Sequence, residues 1–149
     1  MLFRSNKADI NAKTTAEGWT PLHSAAAFGH LDVVRLLLAH KAEIDAKEIS
    51  GMTPLHHAAI TGHKDVAALL LAKRAKVDVR DNYGMTPLHR AAQQGHQDVA
   101  AVLLANKAEV NAQGENGWTP LRLTRDGPPA VVYRNEEVAE YLRQHGGHE

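Results

Sequence analysis

The chain has 149 residues, the length of a single domain, and its 44% hydrophobic and 23% charged residues are ordinary for a globular protein. Seventeen basic and seventeen acidic residues cancel, which excludes a protein that holds nucleic acid through an overall positive field. The chain has no cysteine and therefore no disulfide or thiol nucleophile, a composition that fits a cytoplasmic protein. Its apolar stretches are too short for a signal peptide or a membrane span, so we expect no membrane association.

A tetrapeptide, Thr-Pro-Leu-His, recurs along the chain with a period of 33 residues. It occupies residues 20–23, 53–56 and 86–89, and a near copy that ends in arginine occupies residues 119–122. A glycine precedes every copy at the same offset. A fixed period of this length predicts a stack of small units, each of which buries its apolar face against the next.

One unit, residues 51–83, shows how each repeat is expected to fold. Thr53 is a good N-cap, and Pro54 suits the first position of a helix that we predict to end near Thr61. Gly62 breaks that helix, and a second helix is predicted over residues 64–73. The residues that remain form an extended arm and a turn that lead to the next glycine.

These repeats resemble ankyrin repeats, whose Thr-Pro-Leu-His-x-Ala signature appears here as TPLHSA, TPLHHA and TPLHRA. The resemblance implies an all-α ankyrin-repeat solenoid of stacked helix-turn-helix units with β-turn arms, slightly curved. We predict one domain over residues 1–149. Its parts are a partial N-terminal repeat arm (1–17), three full repeats (18–50, 51–83 and 84–116) and a C-terminal capping repeat (117–149) with an insertion at about 124–135.

Basic residues replace the glycine that usually follows the second helix in this family. They stand at Lys7, Lys41, Arg74 and Lys107. A basic side chain near a helix C-terminus gains ~0.3–1 kcal/mol from the helix dipole. A left-handed backbone at a non-glycine residue costs roughly 1 kcal/mol. Because the two effects are similar in size, we predict that these residues adopt positive φ.

The two ends of the array leave alternatives open. The insertion at 124–135 is interpreted either as a cap over the last layer or as a binding loop. At the other end, residues 6–13 match the arm of a preceding repeat whose helices are missing. The exposed first layer is then covered by Leu2 and Phe3, by further repeats of a longer array, or by another copy. The last residues, around His145 and His148, are expected to fray.

The ten histidines do not form a metal site by their spacing. Equivalent histidines lie a whole repeat apart, about one helix diameter of ~10 Å, whereas zinc ligands lie ~2.1 Å from one ion. The resemblance implies that His23, His56 and His89 instead form hydrogen bonds between adjacent repeats. No catalytic motif is present, so we predict no enzyme activity, no catalytic residue and no cofactor.

The resemblance implies that a protein partner docks on the turn tips and the first helices. The candidate contact residues are Trp19, Phe28, Ile49, Met52, Ile60, Tyr83, Met85, Gln93 and Trp118. For Trp19 and Trp118 we expect first a structural role, packed on the neighbouring turn, and contact with a partner in addition is an open alternative. The predicted function is a non-catalytic protein-protein interaction scaffold that binds on its concave, turn-tip face. The alternatives are a structural module that self-associates weakly through its uncapped N-terminal layer, and a ligand site at the 124–135 loop.

Overall fold

The computed structural model describes residues 9–126 and 135–149, and within these residues it is all-α. The helices are α1 (Pro21–Ala27), α2 (Leu31–Ala39), α3 (Pro54–Thr61), α4 (Lys64–Ala72), α5 (Pro87–Gln93), α6 (Gln97–Ala105), α7 (Pro120–Asp126) and α8 (Asn135–Gln144). The first helix of each pair packs on the first helix of the next pair, and the second helices α2, α4, α6 and α8 likewise follow one another. The predicted all-α solenoid is confirmed.

Local signals at the start of each first helix explain why the helix begins there. In α3, the side chain of Thr53 accepts a hydrogen bond from the backbone N–H of His56, and the ring of His56 accepts one from the N–H of Thr53. Pro54 follows the cap, where its missing N–H costs nothing. The same reciprocal cap starts α1 at Thr20 and α5 at Thr86. The start of each of these three helices is therefore fixed by residues next to it in the sequence.

The core is built from leucine, valine and alanine. Leu55 and Leu88 in the first helices and Leu70 and Leu103 in the second helices are fully buried. Alanines fill the sides of the first helices that face their neighbours, so these short helices pack closely.

The predicted left-handed residues are present where the structure describes them. Lys41, Arg74 and Lys107 have φ of 65°, 72° and 67°. Lys7 lies outside the described residues, as do Leu2 and Phe3, the predicted cover of the first layer. The second helix of the unit at 51–83 ends at Ala72, and Lys73 is its C-cap, one residue earlier than predicted. The basic residue therefore takes over the turn that glycine usually makes at this point.

The turns that follow the arms are joined edge to edge. In the first turn the N–H of Thr14 donates to the carbonyl of Trp19, whereas in the second the N–H of Glu48 donates to the carbonyl of Met52, so the first turn is one residue longer. Between turns, the N–H of Ile49 donates to the carbonyl of Glu17 at 2.9 Å. Equivalent bonds join the later turns, and the row of turn tips is therefore a continuous hydrogen-bonded edge.

The C-terminal tail is docked and does not fray, so that prediction is wrong. The N–H of His148 donates to the side chain of Asn111 at 2.9 Å, and the hydroxyl of Thr119 donates to the carbonyl of His148 at 2.8 Å. The side-chain amide of Asn111 also donates to the carbonyl of Gly146. The tail thus pairs with the arm of the preceding unit. The predicted insertion begins inside α7 and continues through residues 127–134, which lie outside the described residues.

Candidate protein-binding surface

The nine predicted contact residues differ in how much of each side chain meets solvent. Phe28, Ile49 and Tyr83 are exposed by 66%, 69% and 61%, high values for large hydrophobic side chains. The other six are half-buried. Ile49 and Tyr83 stand at successive turn tips, and Phe28 is the residue that ends α1. Three large apolar side chains on the turns and helix ends are therefore open to a partner.

The histidines of the repeated tetrapeptide connect each unit to the next. The Nε2 atoms of His23, His56 and His89 lie 3.1, 2.9 and 2.8 Å from backbone carbonyls one repeat further on. Since a carbonyl only accepts, each Nε2 carries the proton and donates, which leaves Nδ1 to accept from the capping threonine. Burial lowers the pKa of all three rings, that of His56 to about 4, and keeps them neutral. The structural role predicted for these histidines is confirmed.

These histidine bonds also act on the candidate surface. The three acceptor carbonyls belong to Met52, Met85 and Trp118, which are three of the nine predicted contact residues. The backbone that carries each of these side chains is therefore held by a hydrogen bond from the preceding repeat.

Two buried carboxylates shape the turns that carry Ile49 and Tyr83. A side-chain oxygen of Glu48 accepts the N–H groups of Ser50 and Met52 at 3.0 and 2.9 Å. A side-chain oxygen of Asp81 accepts those of Tyr83 and Met85 at 2.9 and 3.1 Å. Sequence reasoning missed both. The available signal was a carboxylate three residues before the glycine that precedes the Thr-Pro-Leu-His copy. This spacing is typical of side chains that close a turn.

In the third repeat, Arg90 connects the Asp81 carboxylate to other residues of the candidate surface. The Nε of Arg90 donates to the second oxygen of Asp81 at 2.9 Å, and its Nη2 donates to the same oxygen. The guanidinium lies 5.9 Å from the centre of the Tyr83 ring, and Nη1 donates to the side chain of Gln93 at 3.1 Å. The buried pair of Arg90 and Asp81 therefore holds three predicted contact residues, Tyr83, Met85 and Gln93, in one network.

The position of Arg90 is occupied by His57 in the preceding repeat. The His57 ring lies 4.4 Å from the ring of Trp19 and 5.5 Å from that of His23, measured between centroids. Its Nε2 is buried and has no hydrogen-bond partner. Burial, reinforced by His23, lowers the pKa of His57 to about 4. Trp19 therefore packs over a neutral imidazole, which supports its structural role without excluding contact with a partner.

A sequence model of ankyrin repeats matches this chain in three overlapping copies, over residues 1–81, 43–114 and 75–149. The chain belongs to the ankyrin-repeat family. Ankyrin repeats are in general protein-protein interaction modules without catalytic activity. This ankyrin-repeat protein is also 46% identical, over 44 residues, to the 2-5A-dependent ribonuclease of Mus musculus. That match covers 30% of the chain but only 6% of the ribonuclease, so it says nothing of the ribonuclease activity.

Features that bear on metal, ligand and membrane binding can be described for the same part of the ankyrin-repeat protein. Residues 9–126 and 135–149 contain no group of three histidine or acidic side chains that could hold a metal ion. Beside the predicted loop, the described residues Thr124, Arg125, Glu136, Ala139 and Arg143 line a cleft of about 110 Å³. Ligand pockets usually measure ~300–1,000 Å³. Across the same described residues, none of the helices has the length and apolar character needed to cross a bilayer.

Proposed function

We propose that this ankyrin-repeat protein is a non-catalytic scaffold that binds a protein partner on its concave, turn-tip face. The contact residues are the nine predicted from the sequence. The observation that carries the proposal is the exposure of Ile49 and Tyr83 at neighbouring turn tips. Nothing in the repeat requires an apolar side chain at these two turn positions. Asn82 and Glu115 are equivalent to Ile49, and Glu17 is equivalent to Tyr83. Exposed aromatic and aliphatic side chains of this kind anchor protein interfaces.

The fixed backbone beneath these side chains supports the same proposal. Turn-to-turn hydrogen bonds and the buried Glu48 and Asp81 carboxylates order the turns before a partner arrives. A partner that docks on an ordered surface does not have to order it on binding, so we expect nearly rigid-body association. One well-placed anchor contributes ~2 kcal/mol or more to binding.

Affinity capture with immobilised protein tests the proposed face. Wild type, the double variant Ile49→Ala/Tyr83→Ala and the control Lys64→Ala are used in parallel, because Lys64 is exposed at the start of α4, away from the turn tips. We expect a protein that wild type and Lys64→Ala retain and the double variant loses, with all three melting at nearly the same temperature. Equal retention of the same protein by wild type and by both variants would show that the binding face lies elsewhere.

Self-assembly through the N-terminal layer is the second candidate function. Val33 in α2 is 46% exposed, while the equivalent residues Val66 and Val99 are 1% and 0% exposed. The first layer of the stack therefore presents apolar surface of the kind that each later layer buries.

A further inference from the structure

The second and third repeats share one pair of positions, but only the third repeat fills the pair with opposite charges that meet. There, Asp81 lies in the turn and Arg90 on α5, and the guanidinium donates to the carboxylate oxygen that the turn does not use. In the second repeat the equivalent residues are Glu48 in the turn and His57 on α3. Both carboxylates accept two N–H groups of their own turn on a single oxygen. The repeats therefore differ in what meets the other oxygen.

The second oxygen of Glu48 has no donor within the part of the chain that the structure describes. Both N–H groups that this side chain accepts end on its other oxygen. His57 supplies no donor, because its ring lies against Trp19 of the preceding repeat, with 4.4 Å between the ring centroids. The neighbouring Lys47 donates to the backbone carbonyl of Arg80 at 3.0 Å. The described chain therefore leaves half of this carboxylate unpaired.

Glu48 as a whole is only 7% exposed, yet its unpaired oxygen can be reached from solvent. Among the described residues, the side-chain atoms that are buried without a hydrogen-bond partner are Nε2 of His57 and Oδ1 of Asn135, and no atom of Glu48 is one of them. A carboxylate with little access to water gains more from a charged donor than an exposed carboxylate does. The free oxygen is thus a ready acceptor for a cation that comes from outside the chain.

An arginine suits this place better than a lysine. In the third repeat, Arg90 donates to Asp81 through two nitrogens and at the same time lies 5.9 Å from the centre of the Tyr83 ring. The second repeat also offers an aromatic ring, since Trp19 packs over His57, the residue that stands in the position of Arg90. A guanidinium carries several donors in one plane and stacks on aromatic rings, whereas an ammonium is a compact point charge.

We propose that the protein partner inserts an arginine side chain at the second turn, where its guanidinium donates to the free oxygen of Glu48. The arginine of the partner makes there the ion pair that Arg90 makes with Asp81 one repeat further on. Of the predicted contact residues, Ile49 follows Glu48 directly and Trp19 packs over the α3 residue of the site. This inference rests on the function proposed above and specifies the partner as a protein segment that presents an arginine beside apolar side chains.

Titration of the isotope-labelled full chain with Nα-acetylarginine amide, followed by amide NMR, tests the site. Nα-acetylcitrulline amide is the control compound, because it has nearly the same shape but no charge. Glu48→Gln removes the charge and keeps an oxygen for the N–H groups of the turn, and His57→Arg places an arginine of the chain itself in the position of Arg90. Lys64→Ala, exposed at the start of α4, is the control variant. Thermal melts establish that each variant is folded.

We expect the arginine compound to shift the amide signals of Ile49, Ser50 and Met52 in wild type and in Lys64→Ala, and the citrulline compound to leave them in place. Glu48→Gln and His57→Arg should bind the arginine compound at least roughly tenfold more weakly, because the first lacks the charge and the second fills the site itself. If Glu48→Gln does not fold, His57→Arg decides. No response in wild type, an equal response to both compounds, or unchanged affinity in the folded variants would overturn the inference.

The outcome for this site is separable from the outcome for the proposed binding face. The titration depends on Glu48 and needs no partner protein, whereas the capture experiment above depends on Ile49 and Tyr83. A captured protein that Glu48→Gln and His57→Arg retain as well as wild type does not use the site, which overturns the inference and leaves the scaffold function standing. Loss of the captured protein in both variants supports the inference.

Discussion

The guanidinium of Arg90 donates hydrogen bonds to the carboxylate of Asp81, in the turn that carries Tyr83. The two residues are nine apart in sequence, and both are largely removed from solvent. A buried ion pair of this kind adds little net stability relative to apolar residues, but losing one partner leaves the other charge uncompensated. The pair therefore ties the third turn to α5 by a contact between buried side chains.

Replacing Arg90 with leucine should lower the free energy of unfolding by roughly 3 kcal/mol, because Asp81 remains buried without its cation. The change fits sterically, since Leu123 occupies the equivalent position of the fourth repeat and is buried. Denaturant titration measures the loss. Arg35→Leu is the control, because its pair with Asp32 is exposed and should contribute below ~1 kcal/mol. Equal losses in the two variants would contradict the special role of the buried pair.

Truncating Leu70 to alanine should destabilise the stack by roughly 2–5 kcal/mol. The side chain is fully buried in α4, so its removal leaves a cavity between helices that are already closely packed. Leu36→Ala removes the same atoms from an exposed position and should cost far less in a monomeric sample. Urea unfolding of the two variants at the same low protein concentration gives the comparison, and similar midpoints would count against the described core.

Stability should fall as the solution is acidified below neutrality. Burial lowers the pKa of His23, His56, His57 and His89, with His56 and His57 at about 4. In the unfolded chain these rings bind protons near pH 6.5, and in the folded chain they stay neutral to lower pH. The unfolded state then holds more protons, so stability is full above pH ~6.5 and is lost as pH falls toward ~4.

His56 and His57 should each contribute a slope of about 1.4 kcal/mol per pH unit inside that window, and His23 and His89 add to it in the same direction. Unfolding free energies measured at several pH values between neutrality and the lower pKa check this. A flat profile over the window would mean that the four rings are protonated in the folded protein as readily as in the unfolded chain.

Replacing His57 with leucine should stabilise the protein by about 1 kcal/mol. The Nε2 of His57 is buried without a partner, and a leucine removes that unsatisfied group. The fourth repeat already has Leu123 at this position. The same variant should show a shallower dependence of stability on pH than wild type, since it lacks one titrating ring. A destabilised variant would indicate that the contact between His57 and Trp19 stabilises the fold by more than the unpartnered Nε2 destabilises it.

The fold could be predicted from the sequence because every local signal agreed with the period. Threonine before proline starts the first helices, and the positive φ of Arg74 follows from the balance between helix dipole and backbone strain. The histidine bonds also followed, since the family resemblance covered the residues that make them. Helix starts and turn positions are properties that a 33-residue window determines by itself.

The network beneath the candidate surface could not be predicted in the same way. The pairing of Arg90 with Asp81 depends on how a turn folds back over the start of a helix, and neither residue alone indicates it. The docked tail was missed for a similar reason, because His148 finds Asn111 only through the stacking of separate units. The nine contact residues stay predictions, since exposure alone does not identify a partner.

The hydrogen bond from His56 to the carbonyl of Met85 has the same form as the one from His89 to the carbonyl of Trp118. Each module of 33 residues therefore carries the acceptor carbonyl near its own start, as at Met85, and its histidine donates to the equivalent carbonyl of the next module. If the coding segment for residues 51–83 were duplicated in tandem, the histidine donor and the carbonyl acceptor at the new junction would already be in register, whereas Asp81 of the first copy would face His57 instead of Arg90. The array can lengthen or shorten by whole modules while the histidine bond is kept at each junction.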